Sequence, residues 1–494
     1  MSVSAPAAPE VTQVVRVKTA TYDRQMLKPR ILHFGFGAFA RAFLCSILDE
    51  TLDQAGPGEA ADWGLVAVRL NSGAEELTAL DATDRRFWVA AADDAGISAR
   101  RIDCLVATCH PARDGLPALF SHFVHPDLSI ISLTITEKGY CSRSGALDTA
   151  HPGIIADLAS PRQPGTAIGV IVEGLRLRRD SGLAGVTVLP LDNLPHNGAV
   201  TRATIIGYAK VLDEDLAEWI AGHCSFPSTM VDRIVPALDE PSKQLLREIG
   251  SDDINGIVCE PFRQWVIEDD FVAQRPDFVR AGAQFVANVA PFEAMKLRML
   301  NGAHSFLAYL GALAGKATIS DCMADPLFAK AAGQLMMREQ APTLEGLQGI
   351  DLKAYSDDLL TRFGNSRLKH RTTQIAMDGS QKLPQRLLAS IRQHRTAGTP
   401  FPLLALAVAG WMAYVRGTDE AGNPVPVKDP MADRFSEIVA TVPDGPGYVA
   451  AMLELSEIFP DDLAHDALVR AAITDSYRSL RENGARTALT ALLS

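Results

Sequence analysis

Residues 294–305, AMKLRMLNGAHS, hold three side chains suited to moving a proton at a hydroxyl: Lys296, Asn301 and His304. On a helix with 3.6 residues per turn they fall within an arc of about 140°, so one helix presents all three to one side. A lysine whose ammonium is destabilised by burial and by neighbouring donors serves as general acid or base toward an alcohol. A side-chain amide stabilises a developing alkoxide, and a histidine orients a hydroxyl. Glu293 lies one turn earlier, where it can tune the lysine. The same residues equally suit a solvated lysine, an asparagine capping beside Gly302 and a hydrogen-bonded core histidine.

A second set of residues could hold an anion. HFGFGAFARAF places Gly35, Gly37 and Ala40 in G-x-G-x-x-A spacing, after an apolar run and before a helical one. In a dinucleotide site the first glycine makes the tight turn, the second lets backbone approach the pyrophosphate, and the small third residue lets helix meet strand. The helix N-terminus then faces the anion. Phe34, Gly35, Gly37, Ala38 and Phe39 are the candidate contacts. The acidic residue that such sites place about 20 residues later is missing: the next apolar run ends Val68-Arg69-Leu70-Asn71, with no carboxylate before Glu75. Asn71 suits a ribose hydroxyl and Arg69 suits a 2′-phosphate, so NAD and NADP both stay open. PLDNLPHNG puts Asn193 just past a strand, at the edge where α/β ligands sit. It also suits an Asx turn before Pro195. Asp232 and Arg233 in SFPSTMVDRIVP, and Lys382 in IAMDGSQKLPQR, lie in loop-like context, where turns and ion pairs are the ordinary expectation.

Composition excludes several classes. The 494 residues are 47% hydrophobic and 21% charged, with a net charge of -12, which describes a globular chain of two or three domains. There is no basic stripe for nucleic acid. Seven scattered cysteines without C-x-x-C fit reduced thiols in the cytoplasm. No metal-ligand spacing occurs among the eleven histidines, and neither G-x-S-x-G nor a P-loop appears. The N-terminus lacks the basic and apolar regions of a secretory leader. The longest apolar stretch, residues 401–415, falls short of the ~20 residues that span a bilayer, so it reads as a buried helix. The expected partner is a small molecule, with neither nucleic acid nor membrane. Oligomeric state stays open, a monomer included.

Residues 1–28 read as an extended polar arm. RILHFGFG, WGLVAVRL, RIDCLVAT, LSIISLTIT and GVTVLPLD read as strands, with helical patterns such as ARAFLCSILDETL and TAIGVIVEGLRLRRD between them. Alternation of this kind means an α/β class with a parallel, doubly wound sheet of Rossmann type. Beyond about Pro291 the pattern becomes long and amphipathic. The expected domains are a dinucleotide-binding domain over 1–288 and a mostly α-helical substrate and catalytic domain over 289–494.

From about Arg30 to the C-terminus the chain resembles the long-chain mannitol dehydrogenase family of polyol and sugar-acid oxidoreductases. The blocks that carry the resemblance are TITEKGY (134–140), LDNLPHNG (191–198), FPSTMVDRIVP (226–236), EPFRQWVIED (260–269), KLRMLNGAHSFLAYLG (296–311) and HRTTQIAMDGSQKLPQR (370–386). EKGYC, CEPFRQWVIED and MDGSQKLPQR are most similar to the fructuronate reductase (mannonate oxidoreductase) branch. The resemblance implies metal-independent, NAD-dependent hydride transfer in a cleft between the two domains. It implies Lys296 as the catalytic lysine, Asn193 and Asn301 as paired amides on the reacting oxygen, and His304 as a substrate-orienting group. It also implies Asp232 and Lys382 as substrate contacts, and adds Thr136 and Glu137 to the cofactor set. Lys138 stands where polyol-type relatives commonly have glycine (T-E-G-G-Y), which makes it a candidate carboxylate partner, with Arg371 as the alternative. The expected reaction is D-fructuronate to D-mannonate. A polyol 2-dehydrogenase of mannitol or arabinitol type, and a non-catalytic dinucleotide-binding paralogue, are the alternatives. The chain departs from the family's F-H-R-A-H loop, with Ala40 and Phe43 in place of its histidines.

Overall fold

The computed structural model describes residues 15–56, 61–251, 255–347 and 349–494. The chain divides into two compact units, Met1–Val289 and Ala290–Ser494.

At the centre of the first unit lie five strands: β1 (Lys28–Phe34), β2 (Trp63–Val68), β3 (Leu105–Cys109), β4 (Ile130–Leu133) and β5 (Thr187–Pro190). They are ordered β5-β4-β1-β2-β3 and every neighbouring pair is parallel. The chain starts in the middle, builds toward one edge, returns and builds toward the other. Loops leaving the carboxyl ends of β1 and β4 therefore diverge, and a crevice opens between them. Every residue of β2, β4 and β5 is buried, as parallel strands covered on both faces must be.

The rest of this unit departs from the all-parallel expectation. Val15–Lys18, Gly96–Ile102, Phe87–Asp93 and Ile257–Cys259 form one flanking sheet, and β6 (Thr229–Asp232), Gln264–Glu268 and Gln284–Val286 form another. Phe87–Asp93 and Gly96–Ile102 are an antiparallel hairpin, whose turn is closed by the Asp93 carboxylate accepting from the backbone N–H of Ala95 and Gly96. RIDCLVAT is two strands rather than one. Asp49 Oδ1 accepts the Asp103 N–H at 2.8 Å, and there the chain leaves the flanking sheet for β3. The stretch before residue 28 is also more than an arm where it is described. Val15–Lys18 pairs with Gly96–Ile102, and the Tyr22 hydroxyl donates to Asp49. Residues 1–14 lie outside the described residues.

The second unit is helical. A helix opens with Ala290–Met295, widens to a π-turn over Lys296–Gly302 and continues as α1 (Ala303–Leu313). α2 (Pro402–Tyr414) is buried from Leu403 to Tyr414, as the apolar run at 401–415 predicts, and it packs against α1 and α3 (Ala467–Leu493). Among the described residues no helix is long and apolar enough to cross a membrane. All seven cysteines are buried and unpaired. Burial pushes the thiols of Cys109 and Cys224 up to about 11 and that of Cys322 to about 12.

The N-terminus of α2 leaves backbone donors that its own turns cannot satisfy. Glu339 accepts two of them, from Leu403 (2.9 Å) and Leu404 (2.8 Å). Its carboxyl is 4% exposed, and burial, opposed by those two N–H groups, pushes its pKa up from 4.5 to about 7. The folded chain therefore holds a proton there that the unfolded chain releases at lower pH. The resulting stabilisation is fully present below pH 4.5 and is lost as pH rises to about 7, on the order of 3 kcal/mol in all. Denaturant titrations of the wild type and of Glu339→Gln between pH 4 and 8 should show this fall in the wild type and its absence in the variant. Superimposable profiles would remove Glu339 as its source.

Candidate active site

In the first unit the glycine turn forms where β1 ends. Gly35 adopts φ +87°, and a Cβ there would lie 2.0 Å from the Thr134 carbonyl oxygen at the end of β4, so only glycine fits. A Cβ at Gly37 would meet nothing closer than 3.6 Å, which leaves this backbone open to a ligand. The turn is anchored by His33, a residue that the sequence reading passed over inside an apolar run. Its imidazole lies between Ser132 Oγ (2.8 Å) and Thr134 Oγ1 (3.0 Å). The Thr134 hydroxyl donates onward to the Gly35 carbonyl, so it must accept from Nε2–H, and Nδ1 accepts from Ser132. Burial holds the His33 ring neutral, its pKa down to about 3.

A cavity of about 450 Å³ opens beside this turn, lined by Gly35, Gly37, Arg69, Asn71, Thr136 and Lys138 among others. These residues come from the carboxyl ends of β1, β2 and β4. A turn that demands glycine, an unobstructed second glycine and a crevice at the strand-order reversal fit a dinucleotide. Phe34 can offer only backbone, since its ring is fully buried against Phe123. Ala38 is exposed at the helix start, and Phe39 stacks on Phe43 at 5.0 Å. Ala40 and Phe43 are both buried: Ala40 in the helix, and Phe43 in edge-on contact with Trp265. Arg69 is 3.7 Å from Glu76 and hydrogen-bonds Ser72.

Glu137 and Lys138 are exposed in the short turn Thr136–Gly139. Asp192 sets that turn, accepting from the N–H of Ile135 (3.0 Å) and Thr136 (2.9 Å) and from the Tyr140 hydroxyl (2.7 Å). Asn193 follows it, exposed in the loop after β5. Asn197 ties this loop to β6 by donating to the carbonyls of Asp192 (3.1 Å) and Thr229 (2.9 Å) and accepting from the Thr229 N–H (2.9 Å). β6 ends in Asp232, which is buried. Asp192 and Asn197 belong to a block singled out for Asn193, and the polar residues around that asparagine were the clue to them.

In the second unit Lys296 is 8% exposed. It shares the π-turn with Asn301, whose Oδ1 is buried without a hydrogen-bond partner. The π-turn alters the 3.6-residue spacing assumed from sequence, and such turns concentrate at functional sites. His304 follows in α1. Its ring stacks on Phe363 at 4.8 Å and meets the edge of His370 at 4.9 Å. Burial, then His370, Arg386, Arg362 and Lys382, hold its pKa well below the usual histidine value. His370 is driven down to about 4 by burial and by Lys382. Lys382 Nζ donates to the Met377 carbonyl. Arg371 is exposed at the start of the turn Thr372–Ile375. Lys296, Asn301 and His304 thus lie on one continuous helix, with Lys382 close enough to His304 to act on its charge. Gly35, Asn193 and Asp232 belong to the first unit. Arg386, which sequence reasoning did not single out, hydrogen-bonds Ser305 Oγ (3.0 Å) and the Asn301 carbonyl (3.4 Å).

A Rossmann-type unit with an open glycine turn, joined to a helical unit that presents a buried lysine and an amide, is the build of a dinucleotide-dependent oxidoreductase. Comparison with known proteins specifies the class. Residues 29–280 match the mannitol dehydrogenase Rossmann domain and residues 288–481 the mannitol dehydrogenase C-terminal domain. The chain belongs to the mannitol dehydrogenase family. It is 47% identical to an uncharacterized oxidoreductase of Escherichia coli (strain K12), YeiQ, over 97% of this chain and 98% of that protein. It is 46% identical to the D-mannonate oxidoreductase of the same organism, over 96% and 98% of the two chains. Among solved structures it is similar to Pseudomonas fluorescens mannitol 2-dehydrogenase in a ternary complex with NAD and D-mannitol, with a TM-score of 0.85 and 36% identity over 97% of each chain.

Replacing Gly35 with alanine tests the turn. The left-handed backbone alone costs about 1–3 kcal/mol for a residue with a Cβ, and the contact with Thr134 adds to it. Gly35→Ala should lower the melting temperature by several degrees and weaken dinucleotide binding in a fluorescence titration. A variant with wild-type melting and binding would show that the turn tolerates a side chain.

Proposed function

We propose that this chain catalyses reversible, NAD-dependent hydride transfer to and from a sugar acid, with D-fructuronate and D-mannonate as the pair. The observation that carries this reading is the helix on which buried Lys296, unpartnered Asn301 Oδ1 and neutral His304 follow one another. Similarity to the D-mannonate oxidoreductase supports the choice of substrate.

The cofactor, when bound, supplies or accepts the hydride. Gly35, Gly37, Ala38 and Phe39, with the backbone of Phe34, are assigned to its pyrophosphate, Asn71 and Arg69 to its ribose, and Thr136 and Glu137 to the loop beside it. Lys296 gives a proton to the carbonyl oxygen as the ketone is reduced and takes it back in the reverse direction. Asn193 and Asn301 hold that oxygen through their Nδ2 donors, and that of Asn301 has no acceptor among the described residues. His304, held neutral, accepts from or donates to a substrate hydroxyl without adding charge. Asp232 and Lys382 contact the remaining hydroxyls. Proton transfer assigned to a lysine needs no metal. Seven reduced thiols support placing the enzyme in the cytoplasm. A polyol 2-dehydrogenase is the second reading, because the solved structure with D-mannitol shares the whole fold. NADH oxidation with D-fructuronate and with D-fructose separates the two.

Lys296→Ala should reduce kcat by roughly 10²–10⁴, the usual range for a lost general acid–base, with NADH affinity nearly unchanged. Near-wild-type turnover would sink the assignment. Glu76 lies 3.7 Å from Arg69, and its carboxylate would oppose a 2′-phosphate there, so kcat/KM should favour NADH over NADPH, and a clear NADPH preference would refute the choice of NAD.

A further inference from the structure

The buried Arg178 donates to the carbonyls of Ala184, Phe123, His125 and Leu128, so that all three of its nitrogens are used. Arg386 differs. It sits in the π-turn Pro384–Leu388, and only Nη1 has partners, Ser305 Oγ and the Asn301 carbonyl. Among the described residues Nε and Nη2 have none, and no carboxylate is within ion-pair distance. Neither nitrogen is sealed from solvent, since neither is among the buried unpartnered atoms. Burial lowers the pKa of the guanidinium to about 10, which still leaves it charged at neutral pH.

Its surroundings make a counter-ion more valuable. Arg362, Lys382 and Arg386 all act on His304 as positive charges. Lys382 is directed at backbone carbonyls. Unpartnered polar atoms cluster alongside: Asn301 Oδ1, both amide atoms of Gln340 and His370 Nδ1, with Gln340 packed against Gly302. A half-buried cation without an anion is costly. The free Nε–Nη2 edge is one of the faces by which a guanidinium grips a carboxylate with two parallel hydrogen bonds.

We propose that Arg386, through its Nε–Nη2 edge, is the residue that reads the carboxylate of the sugar-acid substrate. This rests on the sugar-acid reading above and replaces Lys138 and Arg371 as carboxylate partner. Lys138 is exposed on the glycine-turn cavity of the first unit, and Arg371 is exposed at the surface. Arg386 is a specificity residue beside the reacting end of the helix, and its Nη1 bonds keep it there.

The test is steady-state reduction of D-fructuronate and D-fructose by NADH, using the wild type, Arg386→Gln, Arg386→Lys, Lys138→Gly and Arg371→Gln, with melting curves to verify folding. Arg386→Gln should raise KM for fructuronate about 10–150-fold, the worth of a charge-assisted contact, with kcat and any activity on fructose little changed. Arg386→Lys keeps the charge but not the fork, and should fall in between. If Arg386→Gln does not fold, the lysine variant alone decides, and an unchanged KM for fructuronate would then overturn the proposal. Equal losses on both ketoses would mean that Arg386 merely positions the helix, and an acid-specific loss in Lys138→Gly or Arg371→Gln instead would assign the carboxylate elsewhere. Either result overturns the inference and leaves the sugar-acid reading standing. A wild type that reduces fructose but not fructuronate would overturn both.

Discussion

The first unit depends on one close approach, that of Gly35 to the Thr134 carbonyl. Two parallel strands separate in direction at this point, and the loops that leave them must diverge for a crevice to exist. They must also stay joined at the root for the crevice to have a fixed shape. The left-handed glycine brings β1 onto β4, and the relay from Ser132 through His33 and Thr134 to the Gly35 carbonyl fastens the two strands. A charged imidazole in that position could not accept from Ser132, so burial of His33 keeps the relay intact, and the bond from Thr134 to the Gly35 carbonyl sets its direction. Asp192 and Asn197 repeat the device one strand further along, binding the Thr136 turn, the Asn193 loop and β6 into one piece.

The second unit solves a different problem. It gathers positive charges around histidines held neutral. Two neutral rings, His304 and His370, lie among Arg362, Lys382 and Arg386. Among the described residues of this unit three π-turns occur, over Lys296–Gly302, Leu335–Gln340 and Pro384–Leu388. They carry Lys296 and Asn301, Gln340, and Arg386. On two of these turns buried side-chain atoms have no partner among the described residues: Asn301 Oδ1 on the first, and both amide atoms of Gln340 on the second.

The architecture of the chain was largely legible in its sequence, because continuous apolar runs separated by helical periods have few ways to pack. The runs that became β1, β2, β4 and β5, and the buried helix from Pro402, followed directly from that pattern. RIDCLVAT misled because a chain can change sheets without a polar or glycine-rich marker. The cause was a single side-chain acceptor, Asp49, distant in sequence. The hairpin at Phe87–Ile102 was missed although Asp93 and Gly96 mark its turn. Of the candidate site, Gly35, Gly37, Lys296, Asn301 and His304 were visible as motifs. His33 and Arg386 were not, since a residue in a strand interior and a residue one turn past Lys382 show their importance only through what surrounds them in space. The helical arc drawn for Lys296, Asn301 and His304 assumed an α-helix, and no residue in MKLRMLNG announces a π-turn.

The seven buried thiols have a practical consequence. All seven are shut away from water, and Cys109, Cys224 and Cys322, raised to about 11 or 12, offer almost no thiolate to an electrophile at neutral pH. Maleimides, iodoacetamide or peroxide should therefore react with the native protein only as fast as the polypeptide opens around each sulfur. The cysteines are spread through both units, with Cys45, Cys104, Cys109, Cys141, Cys224 and Cys259 in the first and Cys322 in the second. They form a built-in set of clocks, each recording how often its own stretch of the chain comes apart.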